Sequence, residues 1–378
     1  MQKSVLVSAL LAGSLGLSTA ALAQETVRIG LIQPLTGSVA YNGNSAVEGA
    51  KLALEEINAK GGLLGKPVEL VIEDGQCKPA NTVNAMEKLV QKDKVVSVIG
   101  AFCSSATAAI MPVAAKYKIP LVTGVSSKAD LTEQGNAYFF RAAETDKLMA
   151  ETFARILAND LKLKTVAYVG VNDDWGRGGV EEFEQNLSAL GVKTVLKEYF
   201  DHGTTDFFTI AAKLRAAKAD GIFVAAETQD GSIFMKQIRE MGVATSVFGV
   251  GSWATADFIN LTGPAAEGIY AAVPYVATED TARSRNFVEK YAAAYGAKPG
   301  KYGAAGYNAT NIMAEAIARA GSTDAEAIRE ALKQTKYEAP NGVYQFTDKG
   351  QAYGFNAVLV QIRNAVPTVV AASPVEAH

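Results

Sequence analysis

Two successive series of apolar runs, each alternating with segments of helical period, constrain this chain more than any other feature of its sequence. In the first series residues 27–32 form an apolar run bounded by Pro34 and Gly37, which predicts a buried strand. Val47, Ala50, Leu54 and Ile57 then recur at helical spacing and stop near Gly61-Gly62. Val68, Leu70 and Ile72 alternate as a strand, and Val83, Met86 and Val90 mark the next helix. A strand at 95–99, a helix at 107–117 and a strand at 121–125 complete the series. The second series begins after Arg141. Helices around Phe153, Val180, Ile210 and 233–241 alternate with strands at 166–169, 192–200, 222–225 and 247–250. Such alternation requires parallel sheets covered on both faces. Two series of similar length predict two similar doubly wound α/β lobes. The last third is less regular. Residues 268–276 read as one long strand, Phe287, Tyr291 and 304–320 as helices, and 355–360 with 367–370 as a hairpin around Arg363-Asn364. This material adds no third domain and reads as shared between the lobes, with more than one crossover.

The start of the chain has a different character. Lys3 precedes an apolar run, residues 5–17, that ends in Ala21-Leu22-Ala23 before Gln24. A basic start, a short apolar stretch and an A-x-A end predict a cleaved secretory signal over residues 1–23. The run is too short to span a bilayer comfortably, so the expected mature protein is free and exported. A formal net charge of −3 argues against a dedicated nucleic-acid binder. Cys77 and Cys103 are the two cysteines. In an oxidising compartment such a pair favours a disulfide over a metal site.

No phosphate loop, nucleophile elbow or zinc helix occurs in the sequence. Gly176-Arg177-Gly178-Gly179 lacks dinucleotide-loop spacing and reads as a loop opening a helix. His202, the sole internal histidine, lies between Asp201 and Gly203 and reads as a solvated turn residue. The chain is therefore expected to need no catalytic residue, metal or cofactor. The stretch from Gly100 to Thr107 is more informative. It follows a strand and opens a helix, with Ser104 or Ser105 as N-cap candidates, a geometry that binds a carboxylate through hydroxyls, amides and the helix dipole. The next strand ends similarly in Val125-Ser126-Ser127. Carboxyl ends of parallel strands converge on a ligand crevice, so both serine-rich ends face one spot.

These segments, with residues 29–43, 55–62 and 74–79, resemble the branched-chain amino-acid-binding proteins of ABC transporters, a group of type I periplasmic binding proteins. The resemblance covers nearly the whole mature chain. It implies two α/β lobes joined by three crossings, with 24–143 plus 274–345 as the first lobe and 144–273 plus 346–378 as the second. It also implies a Cys77–Cys103 disulfide. By position, Ser104 holds a ligand carboxylate, Ser127 bonds carboxylate and ammonium, and Val125 offers its carbonyl to the ammonium. Phe102, Tyr302 and Trp175 match pocket positions, Trp175 on a loop at the cleft. Tyr41 and Asn42 lie on the first loop of the family pattern. One departure is clear. The family places an acid after the strand at 247–250, where this chain has Gly251-Ser252-Trp253. Glu227, at the preceding strand end, is the nearest carboxylate that could take its place, with Ser252 as a further contact.

The expected function is a periplasmic, monomeric solute-binding component that delivers a hydrophobic amino acid to an inner-membrane ABC permease. The departure keeps an aromatic acid, an amide or a polar amino acid open as ligand. A periplasmic sensor subunit and a doubly wound enzyme are the alternative roles.

Overall fold

The computed structural model describes residues 25–377. The expected signal segment, residues 1–23, lies outside the described residues. Five strands form the first sheet. β1 (Val27–Gln33), α1 (Ala40–Ala59), β2 (Val68–Asp74), α2 (Pro79–Gln91), β3 (Ser97–Ile99), α3 (Ser104–Tyr117), β4 (Leu121–Thr123) and β5 (Phe139–Arg141) follow in chain order. The sheet runs β2-β1-β3-β4-β5, every neighbour parallel. β1 and β3 are nearly fully buried, as strands covered by helices on both faces must be.

The chain then crosses over through residues 142–145. α4 (Asp146–Asp160) opens on Thr145, whose hydroxyl accepts from the Leu148 N–H at 2.9 Å. β6 (Thr165–Val171), α5 (Asp174–Ala189), β7 (Lys193–Phe200), α6 (Phe208–Ala217), β8 (Gly221–Ala226), α7 (Thr228–Glu240), β9 (Ser246–Gly251), α8 (Ala256–Thr262) and β10 (Tyr270–Val273) build a second parallel array. Its order is β7-β6-β8-β9-β10. β10 is four residues long, not the single strand expected over 268–276. Gly268 turns with φ +78°, and Pro274, which lacks an N–H for the ladder, follows the last paired residue.

The last third serves both sheets. α9 (Ala282–Tyr295) and α10 (Lys301–Ala320) return to the first array, where α10 lies along α1. α11 (Ala325–Lys333) leads to β11 (Tyr337–Ala339), β12 (Gly342–Phe346), β13 (Ala352–Arg363) and β14 (Val366–Pro374). β13 joins β10 antiparallel, and β12 and β14 pair with β13. Among the described residues no helix is long and apolar enough to cross a membrane.

α1 and α10 meet backbone to backbone. A Cβ at Gly49 would fall onto the Gly303 carbonyl, and one at Gly306 onto the Ala46 carbonyl. Neither carbonyl belongs to a flexible side chain, so the helices would have to separate. Gly306→Ala is expected to destabilise the fold by about 1–3 kcal/mol. That corresponds to a melting point roughly 1–4 °C lower in a chain of this size. An unchanged melting curve would mean that this contact is not close in solution.

Candidate functional site

Each parallel sheet has a point where strand order reverses. In the first it lies between β1 and β3, and in the second between β6 and β8. Crevices at such points, outside the carboxyl ends of the strands, are where open α/β sheets bind ligands. The two points face each other across a cleft. Its cavity is walled by Phe102, Ser104, Val125 and Ser127 from the loops after β3 and β4, by Trp175 and Glu227 after β6 and β8, and by Tyr302 of α10. Its empty volume is about 340 Å3, part of it open to solvent, which sets an upper bound on what the closed cleft holds.

The serines differ in what they offer. Cys103, not Ser104 or Ser105, takes the N-cap position of α3, and it makes no side-chain cap. The helix starts at Ser104, whose Oγ accepts from the Lys128 N–H at 3.3 Å. The Ser104 hydroxyl proton is thereby left free to donate. Beside it the first N–H groups of α3 lack intrahelical partners. Ser127 is placed the other way round, with Oγ donating to Asp146 Oδ2 at 2.9 Å. Ser126 is spent on structure, bonded to Thr107 Oγ1 at 2.6 Å and to the Phe102 carbonyl at 2.9 Å.

The opposite wall is built on Glu227. Its Oε2 accepts from Asn42 Nδ2 and from the Tyr302 hydroxyl, both at 2.6 Å. Asn42 Oδ1 in turn accepts from Thr228 Oγ1 at 2.7 Å. Asn42 lies in α1 and Tyr302 in α10, while Glu227 and Thr228 belong to the second array, so these three bonds close the cleft. Burial pushes the Glu227 carboxyl above its usual range, against the pull of Lys301 and Tyr302. Glu227 Oε1 makes no hydrogen bond among the described residues. The Phe102 and Tyr302 rings lie 4.8 Å apart beside it.

Trp175 lies in the first turn of α5 rather than on a loop, because Asp173 caps the helix there, Oδ1 accepting from the Gly176 N–H at 2.8 Å. Gly176-Arg177-Gly178-Gly179 is therefore helical as well. A Cβ at Gly176 would strike the Val171 carbonyl, so glycine permits the helix to press on β6. His202 also departs from expectation. It is partly buried and lines the cavity, with Nε2 2.9 Å from Asp173 Oδ2 and Nδ1 3.6 Å from Asp230 Oδ2. Burial lowers its basicity, but the two carboxylates outweigh this and hold its pKa at about 10. Lys301, paired with Glu144 at 3.2 Å, and Asp173 are further wall residues that sequence reading missed. Only their clustering in space reveals them.

Ser105, Tyr41 and Ser252 do not line this cavity. Tyr41 borders a separate groove with Asp257 and Tyr291. Ser252 is fully buried, its hydroxyl unpartnered. Asn42 reaches the site through Glu227 rather than directly. Cys77 and Cys103 are disulfide-bonded, with Cα atoms 5.4 Å apart, and Cys103 also lines the cavity. Among the described residues no group of three or more His, Cys, Asp or Glu is arranged to hold a metal.

A family profile described as periplasmic binding protein matches residues 26–366. An amino acid binding protein of Pseudomonas aeruginosa is 31% identical over 341 residues, 89% of each chain. The leucine-, isoleucine-, valine-, threonine- and alanine-binding protein of the same organism is 27% identical, over 90% of this chain and 91% of its own. The branched-chain amino acid transporter substrate binding protein of Streptococcus pneumoniae, solved in complex with isoleucine, superposes with a TM-score of 0.85 at 26% identity. It covers 93% of this chain and 100% of its own. With the profile spanning nearly all of the described residues, and the two facing switch points forming one cleft, the protein belongs to the periplasmic binding protein family.

Proposed function

We propose that this protein is the solute-binding component of an ABC importer and closes around a small α-amino acid, with a hydrophobic side chain favoured. The observation that carries this reading is the separation of donors from acceptors in the cleft. Ser104 and the start of α3 offer donors, which suit a carboxylate. Ser127 Oγ, the Val125 carbonyl and Glu227 Oε1 offer three acceptors, which match the three N–H bonds of a primary ammonium. The Phe102–Tyr302 pair and Trp175 supply apolar surface for a side chain. The names of the amino-acid-binding relatives support the same ligand class.

In this reading Ser104 holds the carboxylate, and Glu227 replaces the acid that the family places near Ser252. Ligand contacts made from both walls shift the population toward the closed form. The permease then reads closure. The protein acts as a periplasmic monomer that transforms no substrate. The lobes divide as 24–143 with 274–345, and 144–273 with 346–378. The lie of α10 along α1 supports assigning the former stretch of the last third to the first lobe.

The test is thermal unfolding of ligand-stripped protein against a panel of amino acids and aromatic acids. A ligand bound only by the native state at a hundred times its Kd stabilises by about 2.7 kcal/mol. Leucine, isoleucine or valine is expected to raise the melting point in a concentration-dependent way. A shift with benzoate-type acids alone would overturn the amino-acid reading and leave solute binding standing.

A further inference from the structure

Ser127 touches the cavity, and the residue behind it decides which way its proton points. Asp146 is the first residue of α4, directly after the crossing between the arrays. The two residues are joined twice. The Asp146 N–H donates to the Ser127 carbonyl at 3.0 Å, and the Ser127 hydroxyl donates to Asp146 Oδ2 at 2.9 Å. Asp146 is buried and does not line the cavity. It therefore touches no ligand itself and acts through the wall residues it bonds, Ser127 above all.

We propose that Asp146 is a specificity-setting positioning residue: as a carboxylate it holds the Ser127 proton, so Ser127 shows only lone pairs to the cleft and selects a ligand bearing N–H donors. Protonated, Asp146 donates to Ser127 Oγ instead. The Ser127 O–H then turns to the cleft and favours a ligand acceptor in the same place. The inference rests on the amino-acid reading and deepens it, because it names the group that discriminates an amino acid from the corresponding acid without nitrogen.

The surroundings place this switch within reach of ordinary pH. Burial pushes the Asp146 carboxyl up to about 7, and Glu144 in the crossing adds to that, while Ser127, Lys301 of α10 and Trp175 of α5 oppose it. Arg141 of β5 is the other charge facing it. A ligand ammonium favours the carboxylate form, so binding an amino acid lowers this pKa and releases a proton. Affinity for an amino acid must then rise with pH up to about 7 and level off above it. Selectivity falls by at most about tenfold per pH unit below that point.

Calorimetric titration of the full mature protein with leucine and with 4-methylpentanoate, its deaminated analogue, between pH 5.5 and 8.5 tests this. The wild-type ratio of the two affinities is expected to fall about tenfold between pH 8 and pH 6. In Asp146→Asn the ratio is expected to lose that tenfold step, to keep only the slope that Glu227 contributes, and to lie about tenfold below the wild-type value at pH 8. Glu227 titrates in both proteins, so the difference between them isolates Asp146. Where Asp146→Asn does not melt cooperatively, Ser127→Ala carries the same expectation of a lost tenfold step, with Ser127→Thr restoring it. A variant ratio that follows the wild-type curve overturns the role of Asp146. Absence of leucine binding to the wild-type protein overturns instead the amino-acid reading on which it rests.

Discussion

Glu227→Gln is expected to weaken binding of leucine by about 30- to 4,000-fold, the range for removing one partner of a buried charge pair, about 2–5 kcal/mol. The size follows from the position of the carboxylate. Glu227 is only 7% exposed and lines the cavity, and its Oε1 makes no hydrogen bond among the described residues. Glutamine keeps the shape but loses the charge. Asn42→Ala separates the two contributions of Glu227, because it removes two bonds across the cleft, to Glu227 and Thr228, and leaves the carboxylate in place. It is expected to cost much less, about 1–2 kcal/mol, and to cost the same for ligands with and without an ammonium. Calorimetry on both variants is the check. If Glu227→Gln weakens leucine and 4-methylpentanoate equally, Glu227 only holds the cleft shut.

The pH profile of Glu227 has a definite sign. Burial raises its pKa in the protein. The neutral form is therefore favoured over a wider range than for an exposed glutamate, and an ammonium ligand must restore the charge. Affinity for an amino acid falls as pH drops through that raised value. For the ligand-free protein the linkage runs the opposite way. A carboxyl whose pKa is higher folded than unfolded contributes stability below its unfolded value, and that contribution is lost as pH rises through the folded one. Asp146, held at about 7, acts in the same direction.

The two lobes were legible because β6, β8 and β9 are almost wholly apolar and β1 is apolar apart from Arg28 and Gln33, and because the helices after β1, β6 and β8 have a clear period. β5 and β11 were not, since each is three residues long with a charged member, Arg141 or Glu338, whereas the equally short β3 and β4 sit inside longer apolar runs. The serine-rich walls were legible for a related reason. Ser104, Val125 and Ser127 each follow a recognisable strand, and topology alone brings such ends together. The charged members were not. Lys301, Asp146 and His202 have the composition of solvated positions, and only long-range packing buries them against Glu144, Ser127 and Asp173. The same difficulty explains Ser105, Tyr41 and Ser252. Ser105 adjoins Ser104, but helix geometry turns its side chain elsewhere, and no residue beside Tyr41 or Ser252 lines the cavity.

Arg141→Met is expected to destabilise the protein by about 3–5 kcal/mol, the loss typical of breaking a buried charged network. Its melting point should fall by roughly 4–7 °C. The guanidinium is fully buried with no carboxylate in salt-bridge range among the described residues, and burial lowers its pKa to about 10. It is sustained by neutral acceptors instead. Nε donates to Gln351 Oε1 at 2.6 Å, Nη1 to the Lys128 carbonyl, and Nη2 to the Ala129 carbonyl at 3.1 Å and Thr132 Oγ1 at 3.2 Å. Gln351 continues the chain of bonds by donating to the Ala143 carbonyl at 2.9 Å. One side chain thus joins the loop just after Ser127, the crossing at 142–145 and the approach to β13. Methionine fills the volume but strands all four acceptors, at about 1–3 kcal/mol for each that stays dry. Water entering from the adjacent cavity, lined by Arg141, Thr132 and Gln351, limits the sum. Arg141→Lys is expected to recover less than half, because one ammonium cannot reproduce the planar fork. Leucine affinity should fall with stability, since the loop that carries Ser127 loses its anchor. A melting point for Arg141→Met within about 2 °C of the wild type would mean that this loop is held by its backbone alone.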